Sequence, residues 1–215
     1  MKQIPRIFIP FSLFFLLSSC FGLNMDIALR QNGSGTLTLE YRISKALDAL
    51  GRLDGNERWN TIPVGRADFM RTLDRLPEMK LLSYSSKEDE KNLLITAKME
   101  FRTIQGLMAF LDASGQSSSF SGDARSGSMK FTLSEGSSFG GASSLAKLIA
   151  DISEGYSVRI AMTVPSQGAI YIADKDGTPL RGEGESSFSG NTLSCSFPLY
   201  AILSSSNGVN VEFRW

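Results

Sequence analysis

The stretch from Lys2 to Cys20 sets the first limit on what this chain can fold into. Lys2 and Arg6 give a positive start, Ile7 to Leu17 (IFIPFSLFFLL) an apolar run, and Ser18 and Ser19 two small residues ahead of Cys20. That is the layout of a secretory signal peptide. A transmembrane helix is the competing reading, but spanning a bilayer takes roughly 20 apolar residues. This run is shorter, contains Pro10 and ends in Ser-Ser. Residues 1–19 are expected to be removed, which leaves folding to the 196 residues from Cys20 onward.

Leu17-Ser18-Ser19-Cys20 resembles the bacterial lipobox: aliphatic, small, small, cysteine. The resemblance implies cleavage before Cys20 and a diacylglycerol on its sulfur. Two acyl chains anchor stably where one holds only marginally. No later run is apolar enough to span a bilayer. The mature chain is therefore expected to be exported and to hang from a bacterial membrane by Cys20, on the periplasmic face or the cell surface.

Lipidation of Cys20 leaves Cys195 as the other of two cysteines, so no intramolecular disulfide can form. The fold must be held by its core, and 196 residues suffice for one domain with or without a small appendage. Cys195 lies in Thr192-Leu193-Ser194-Cys195-Ser196-Phe197, where Leu193, Cys195 and Phe197 share one face of a strand. A buried small hydrophobe is favoured there over a reactive thiol.

Losing Lys2 and Arg6 takes the 22 basic residues to 20, against 22 acidic ones, for a net charge near −2. There is no basic excess to attract nucleic acid. The densest charge cluster, Lys87 to Lys91 (KEDEK), is mixed and reads as a solvated hairpin turn. The sequence contains no histidine. That removes the commonest general base, the commonest metal ligand and the middle member of a Ser-His-Asp triad.

Periodicity supplies the elements. Met25–Arg30 and Gly35–Ile43 read as a hairpin turning at Asn32-Gly33-Ser34-Gly35, because Asn-Gly accepts positive φ. Short helices are predicted at 44–50, 66–76, 104–111 and 144–152, with Thr103 capping the third. Met79–Ser86 with Asn92–Phe101 reads as a second hairpin, and 129–133, 156–164, 169–173, 192–197 and 209–215 as further strands. The Gly/Ser-rich stretches 114–128, 134–143 and 182–191 read as mobile loops. The order predicts an α+β fold: a largely antiparallel sheet built of hairpins, with amphipathic helices packed on one face.

An acylated cysteine, a strand, the turn Asn32-Gly33-Ser34-Gly35, the alternating Leu39-Glu40-Tyr41-Arg42-Ile43-Ser44 and a polar helix cap together resemble the LppM-like bacterial lipoproteins. Leu50-Gly51, the helix near Phe69 and the hairpin ending at Phe101 fit the same order. The resemblance runs from about Cys20 to Val164. It implies an envelope lipoprotein with an α+β domain over residues 20–164 and a role in binding envelope lipids or glycolipids. It implies no catalytic residues. Residues 165–215 are left as a β-rich extension packed on the same domain.

Motifs for chemistry are weak. Gly136-Ser137-Ser138-Phe139-Gly140 matches a nucleophile elbow only in letters, since the triad base is missing. Ser144 and Lys147 are better read as a helix cap and a polar face than as a dyad. Asp174-Lys175-Asp176-Gly177 starts like a calcium loop, but Thr178-Pro179-Leu180 breaks the ligand series, so a turn is expected. Asp68, Asp74 and Asp151 form no visible pair. No enzyme activity, metal or cofactor is expected.

Two binding modes remain. In the first, Phe69, Leu73, Leu107, Met108 and Leu148 line an apolar groove for an envelope lipid, a glycolipid or another amphiphile; the same side chains could equally fill a solid core. In the second, an envelope protein partner docks on the Trp59 loop or on a strand edge, for which the terminal Phe213-Arg214-Trp215 is a candidate. Trp59 sits in a polar loop beside Arg58 and can anchor a ligand or cap the core. Tyr200, Leu203 and Trp215 carry the same two readings.

Overall fold

Asn32-Gly33 turns the chain as its composition requires. Gly33 has φ +82°, and the Asn32 side-chain oxygen accepts the Ser34 N–H at 3.1 Å, the local bond that favours Asn in turns. The computed structural model describes residues 21–45, 63, 65–113, 117–136, 153, 155–180 and 184–215. In chain order its elements are β1 (Phe21–Leu29), β2 (Gly35–Ser44), α1 (Arg66–Leu73), β3 (Met79–Glu88), β4 (Asn92–Phe101), α2 (Ile104–Ala113), β5 (Ser118–Gly122) and β6 (Gly127–Ser134). They continue as β7 (Ser157–Thr163), β8 (Ala169–Ala173), β9 (Glu185–Ser189), β10 (Thr192–Pro198), α3 (Leu199–Ser204) and β11 (Val209–Arg214).

The fold is α+β and mostly strand. One sheet has seven strands in the order β3-β4-β2-β1-β7-β10-β9, and a second has four, β5-β6-β11-β8. All strand pairs are antiparallel except β1 with β7, which run parallel from Leu23–Val158 to Ala28–Thr163. The chain after Pro165 supplies β9 and β10 to the first sheet and β8 and β11 to the second.

Alternation gives the large sheet two unlike faces. Met25, Ile27, Leu37, Leu39, Tyr41, Ile95, Met99, Ile160, Met162, Leu193 and Cys195 are buried on one of them. The intervening Asn24, Thr38, Lys98, Arg159 and Ser194 form a polar face, where Asn24 donates to Glu40 at 3.3 Å and Arg159 pairs with Asp26 at 3.0 Å. The apolar face joins one core with Met129 and Phe131 of β6, Val211 and Phe213 of β11, Phe69 of α1, and Leu107 and Phe110 of α2. Each such side chain contributes about 1.5–3 kcal/mol by leaving water.

α1 starts where the Asp68 carboxylate accepts the Gly65 N–H at 2.9 Å and ends three residues short of the predicted Leu76. α2 starts where Thr103 Oγ1 accepts the Gly106 N–H at 3.1 Å, the predicted cap. Of the predicted helix at 44–50, Ser44 is the last residue of β2 and residues 46–50 lie outside the described residues, as does the predicted helix at 144–152.

Three expectations need correction. The Gly/Ser-rich stretch 114–128 contains a strand, β5, because Phe120 stacks on Trp215 at 6.0 Å and Ser121 bonds Ser128 across the pair at 3.0 Å. Likewise β9 lies inside 182–191, paired to β10 along Thr192–Ser189 to Ser196–Glu185. The terminal strand is not an edge: β11 lies between β6 and β8, so its backbone groups are taken on both sides.

Candidate functional site

Cys20 lies outside the described residues, but the residue after it does not. Phe21 is already in β1, opposite Ile43. Cys20 is thus one peptide bond from the middle strand of the seven.

Gly22 comes next, and the ring of Tyr156 lies beside it. A Cβ placed on Gly22 would meet Tyr156 Cδ1 at 3.8 Å and the Ser157 carbonyl at 3.6 Å. Tyr156 is held at the head of β7 by its own backbone: its carbonyl accepts the Leu199 N–H at 2.8 Å, and its N–H donates to Ser153 O at 3.2 Å. The residue is 4% exposed, yet its phenolic oxygen has no hydrogen-bond partner among the described residues. Buried polar groups are normally paired.

Tyr156 also lines a cleft of about 780 Å³ with Leu180, Pro198, Tyr200, Ala201 and Ser204. Its walls come from the starts of β7 and β9, the end of β10, α3 and the turn after α3. A smaller cavity of about 270 Å³ lies between Pro77, Met79, Lys80 and Arg102. The cleft mixes aromatic and aliphatic surface with hydroxyls and backbone. That lining suits a molecule with an apolar part and a polar part.

The predicted groove residues lie elsewhere. Phe69 and Leu107 are fully buried, Leu73 is buried, and Met108 packs against the same core. Phe69 meets Tyr84 at 5.8 Å between ring centres. Neither cavity is lined by any of these four. Trp59 and Leu148 lie outside the described residues, as do Ser144, Lys147 and Asp151. Asp68 is occupied at the start of α1 and with Arg71 at 3.4 Å. Asp174 is a turn former: its carboxylate accepts the N–H groups of Asp176 at 2.9 Å and Thr178 at 2.8 Å.

Of the ambiguous aromatics, Trp215 is buried, with its indole N–H donated to Ala124 O at 3.1 Å. Tyr200 and Leu203 are exposed on α3. The sequence singles these two out but not Tyr156, which it gives only as the first residue of the predicted strand 156–164; the strand itself starts at Ser157. In the KEDEK turn the Asp89 carboxyl is held below its usual range, first by the Lys91 backbone N–H and then by Asn92.

Among the described residues no helix is long and apolar enough to cross a membrane, and no cluster of His, Cys, Asp and Glu could hold a metal ion.

The chain is similar in backbone course to the folded domain of LppM from Mycobacterium tuberculosis, solved by NMR. The likeness covers 92% of each chain at 10% identity, with a TM-score of 0.48. No family model and no curated protein matches the sequence.

Proposed function

We propose that this chain is a non-enzymatic lipoprotein of the bacterial envelope, exported and tethered through an acylated Cys20, whose Tyr156 cleft takes an amphiphile. The observation that carries the reading is the placement of the Tyr156 ring beside Gly22, 3.8 Å from where a Cβ on Gly22 would stand. It sets a cleft of ligand size, about 780 Å³, two residues from the lipidation position. The Lys2-to-Cys20 signal supports the address, and the lack of histidine supports binding over catalysis. The reading moves the expected groove from the α1–α2 core, where side chains fill the space, to the end of the sheet. The ligand class it favours is an envelope lipid or glycolipid.

The test is native mass spectrometry of the full acylated protein, released from detergent before and after organic extraction. A stoichiometric extractable lipid that Ala201→Trp abolishes is the expected result. Retention of the same lipid by Ala201→Trp would sink the cleft assignment. A clean mass throughout, unmoved by added envelope lipids, would sink ligand binding altogether.

A second reading is docking of an envelope protein by strand addition. It is favoured by β9, an edge strand carrying Phe188, which is 58% exposed. If it holds, Ser187→Pro abolishes partner cross-linking in cells while leaving extractable lipid unchanged.

A further inference from the structure

We infer that the Cys20 end of the large sheet sits directly on the bilayer, with Tyr200 and Leu203 of α3 at headgroup level. This rests on the lipoprotein reading and adds to it an orientation and a contact surface. The first argument is reach. One residue spans at most about 3.6 Å, and Phe21 is already paired with Ile43. No tether separates the acylated sulfur from the folded domain, so the domain cannot stand off from the membrane.

The second argument is register. At the level of β1's first residues lie Arg42 and Leu94, aligned through Gly22–Arg42 and Arg42–Leu94. On the other side, Val158 faces Leu23, Phe197 faces Val158, and Pro198 faces Ser157. α3 follows Pro198 at once. It therefore starts two strands from β1, about 10 Å away at 4.8 Å per strand. Sheet twist of about 20–25° per strand turns β3 and β9 away from a flat surface, so contact centres on the middle strands and α3.

The third argument is the chemistry of α3. Ile202 is buried, whereas Tyr200 is 50% and Leu203 39% exposed. A tyrosine with an apolar ring and polar tip belongs at the membrane–water interface. On the β2 side the same end carries charges of both signs: Arg42 level with Gly22, Lys45 paired with Glu88 at 3.0 Å, and the mixed KEDEK turn. The α3 side of the seat is therefore aromatic and aliphatic, and the Tyr156 cleft opens beside it.

The test uses the full acylated protein with single label sites at Tyr200→Cys, Leu203→Cys or, at the opposite end of the sheet, Asn191→Cys. Acylation occupies the Cys20 sulfur, and Cys195 is buried, so a fluorophore reports one position. The protein is placed in vesicles of phosphatidylethanolamine and phosphatidylglycerol containing a headgroup-linked quencher. Labels at 200 and 203 are expected to lose most of their fluorescence and the label at 191 none, with no relief at high salt. Equal quenching at 191 and at both α3 sites, with the diacylglyceryl mass present on the N-terminal peptide, would overturn the docking and leave the anchor standing. Absence of that mass would overturn the anchor reading, and the docking with it. Leu203→Cys keeps the test decisive if Tyr200→Cys does not fold.

Discussion

The ring of Phe101 occupies the space in which a side chain on Gly35 would begin. Gly35 pairs with Leu29 on one side and Phe101 on the other, and a Cβ there would collide with Phe101 Cζ and the Ala28 carbonyl. Overpacking of a tight site costs about 1–3 kcal/mol. Gly35→Ala is expected to lower stability by at least that much in denaturant unfolding. Gly177→Ala serves as a control: nothing lies within 4 Å of its Cβ position, so only its positive φ is penalised. A loss at Gly35 no larger than at Gly177 would contradict the packing.

Burial pushes the Cys195 thiol up to about 12. The unfolded thiol ionises near pH 8.5, so above that pH the unfolded chain sheds a proton that the folded chain keeps. Stability is untouched by this group below pH 8 and falls as pH rises from about 8.5 toward 12, by up to about 1.4 kcal/mol per pH unit. Cys195→Ala should shift the baseline through lost packing but flatten this alkaline slope. Parallel slopes for the two proteins at pH 8, 9.5 and 10.5 would refute the assignment. The native thiol should also resist alkylation at pH 8 until the chain unfolds.

Asn210 ties the second sheet together from inside. It is buried, donates to the Asp174 carbonyl at 3.1 Å and accepts from Thr132 Oγ1 at 2.8 Å. Replacing it with Ala removes both bonds: the Thr132 hydroxyl loses its acceptor at about 1–3 kcal/mol, while the Asp174 carbonyl keeps the Gly177 N–H at 3.2 Å. Asn210→Ala is expected to cost more than Thr132→Val, because the second change removes a donor and leaves the bond to Asp174 intact. The reverse order in thermal or urea unfolding would show that the network does not bear on stability.

The Asp26–Arg159 pair is short at 3.0 Å, yet the two side chains are 48% and 41% exposed. Exposed pairs yield about 0–1 kcal/mol and weaken with salt. A double-mutant cycle with Asp26→Asn and Arg159→Gln is expected to give a coupling within that range, vanishing near 1 M salt. A coupling well above it would mean that the polar face is less hydrated than its exposure indicates.

The β1–β2 and β3–β4 hairpins were legible because turn chemistry and alternation agree within a few residues. Asn32-Gly33 and the run from Leu37 to Ile43 needed no distant partner to be read. β5 and β9 were not legible, since Ser and Gly have low strand preference and their pairing is imposed by β6, β10 and the stacking of Phe120 on Trp215. α3 escaped because six residues carry too little periodicity and no capping side chain. The parallel union of β1 with β7 joins residues more than 130 positions apart, which no local pattern encodes. The cleft has the same origin: Tyr156, Leu180 and Tyr200 come together only through topology. Burial of Phe69 and Leu107 was legible, but not whether they enclosed space or filled it.

β1 begins beside Cys20 and is gripped on both sides, by β2 from Phe21 to Leu29 and by β7 from Leu23 to Ala28. A pull applied at Cys20 would therefore act along the length of the innermost strand. It would load two ladders of hydrogen bonds in shear, many rungs at once, instead of peeling an edge strand rung by rung. A domain held at Cys20 would thus meet mechanical load through these two ladders at once.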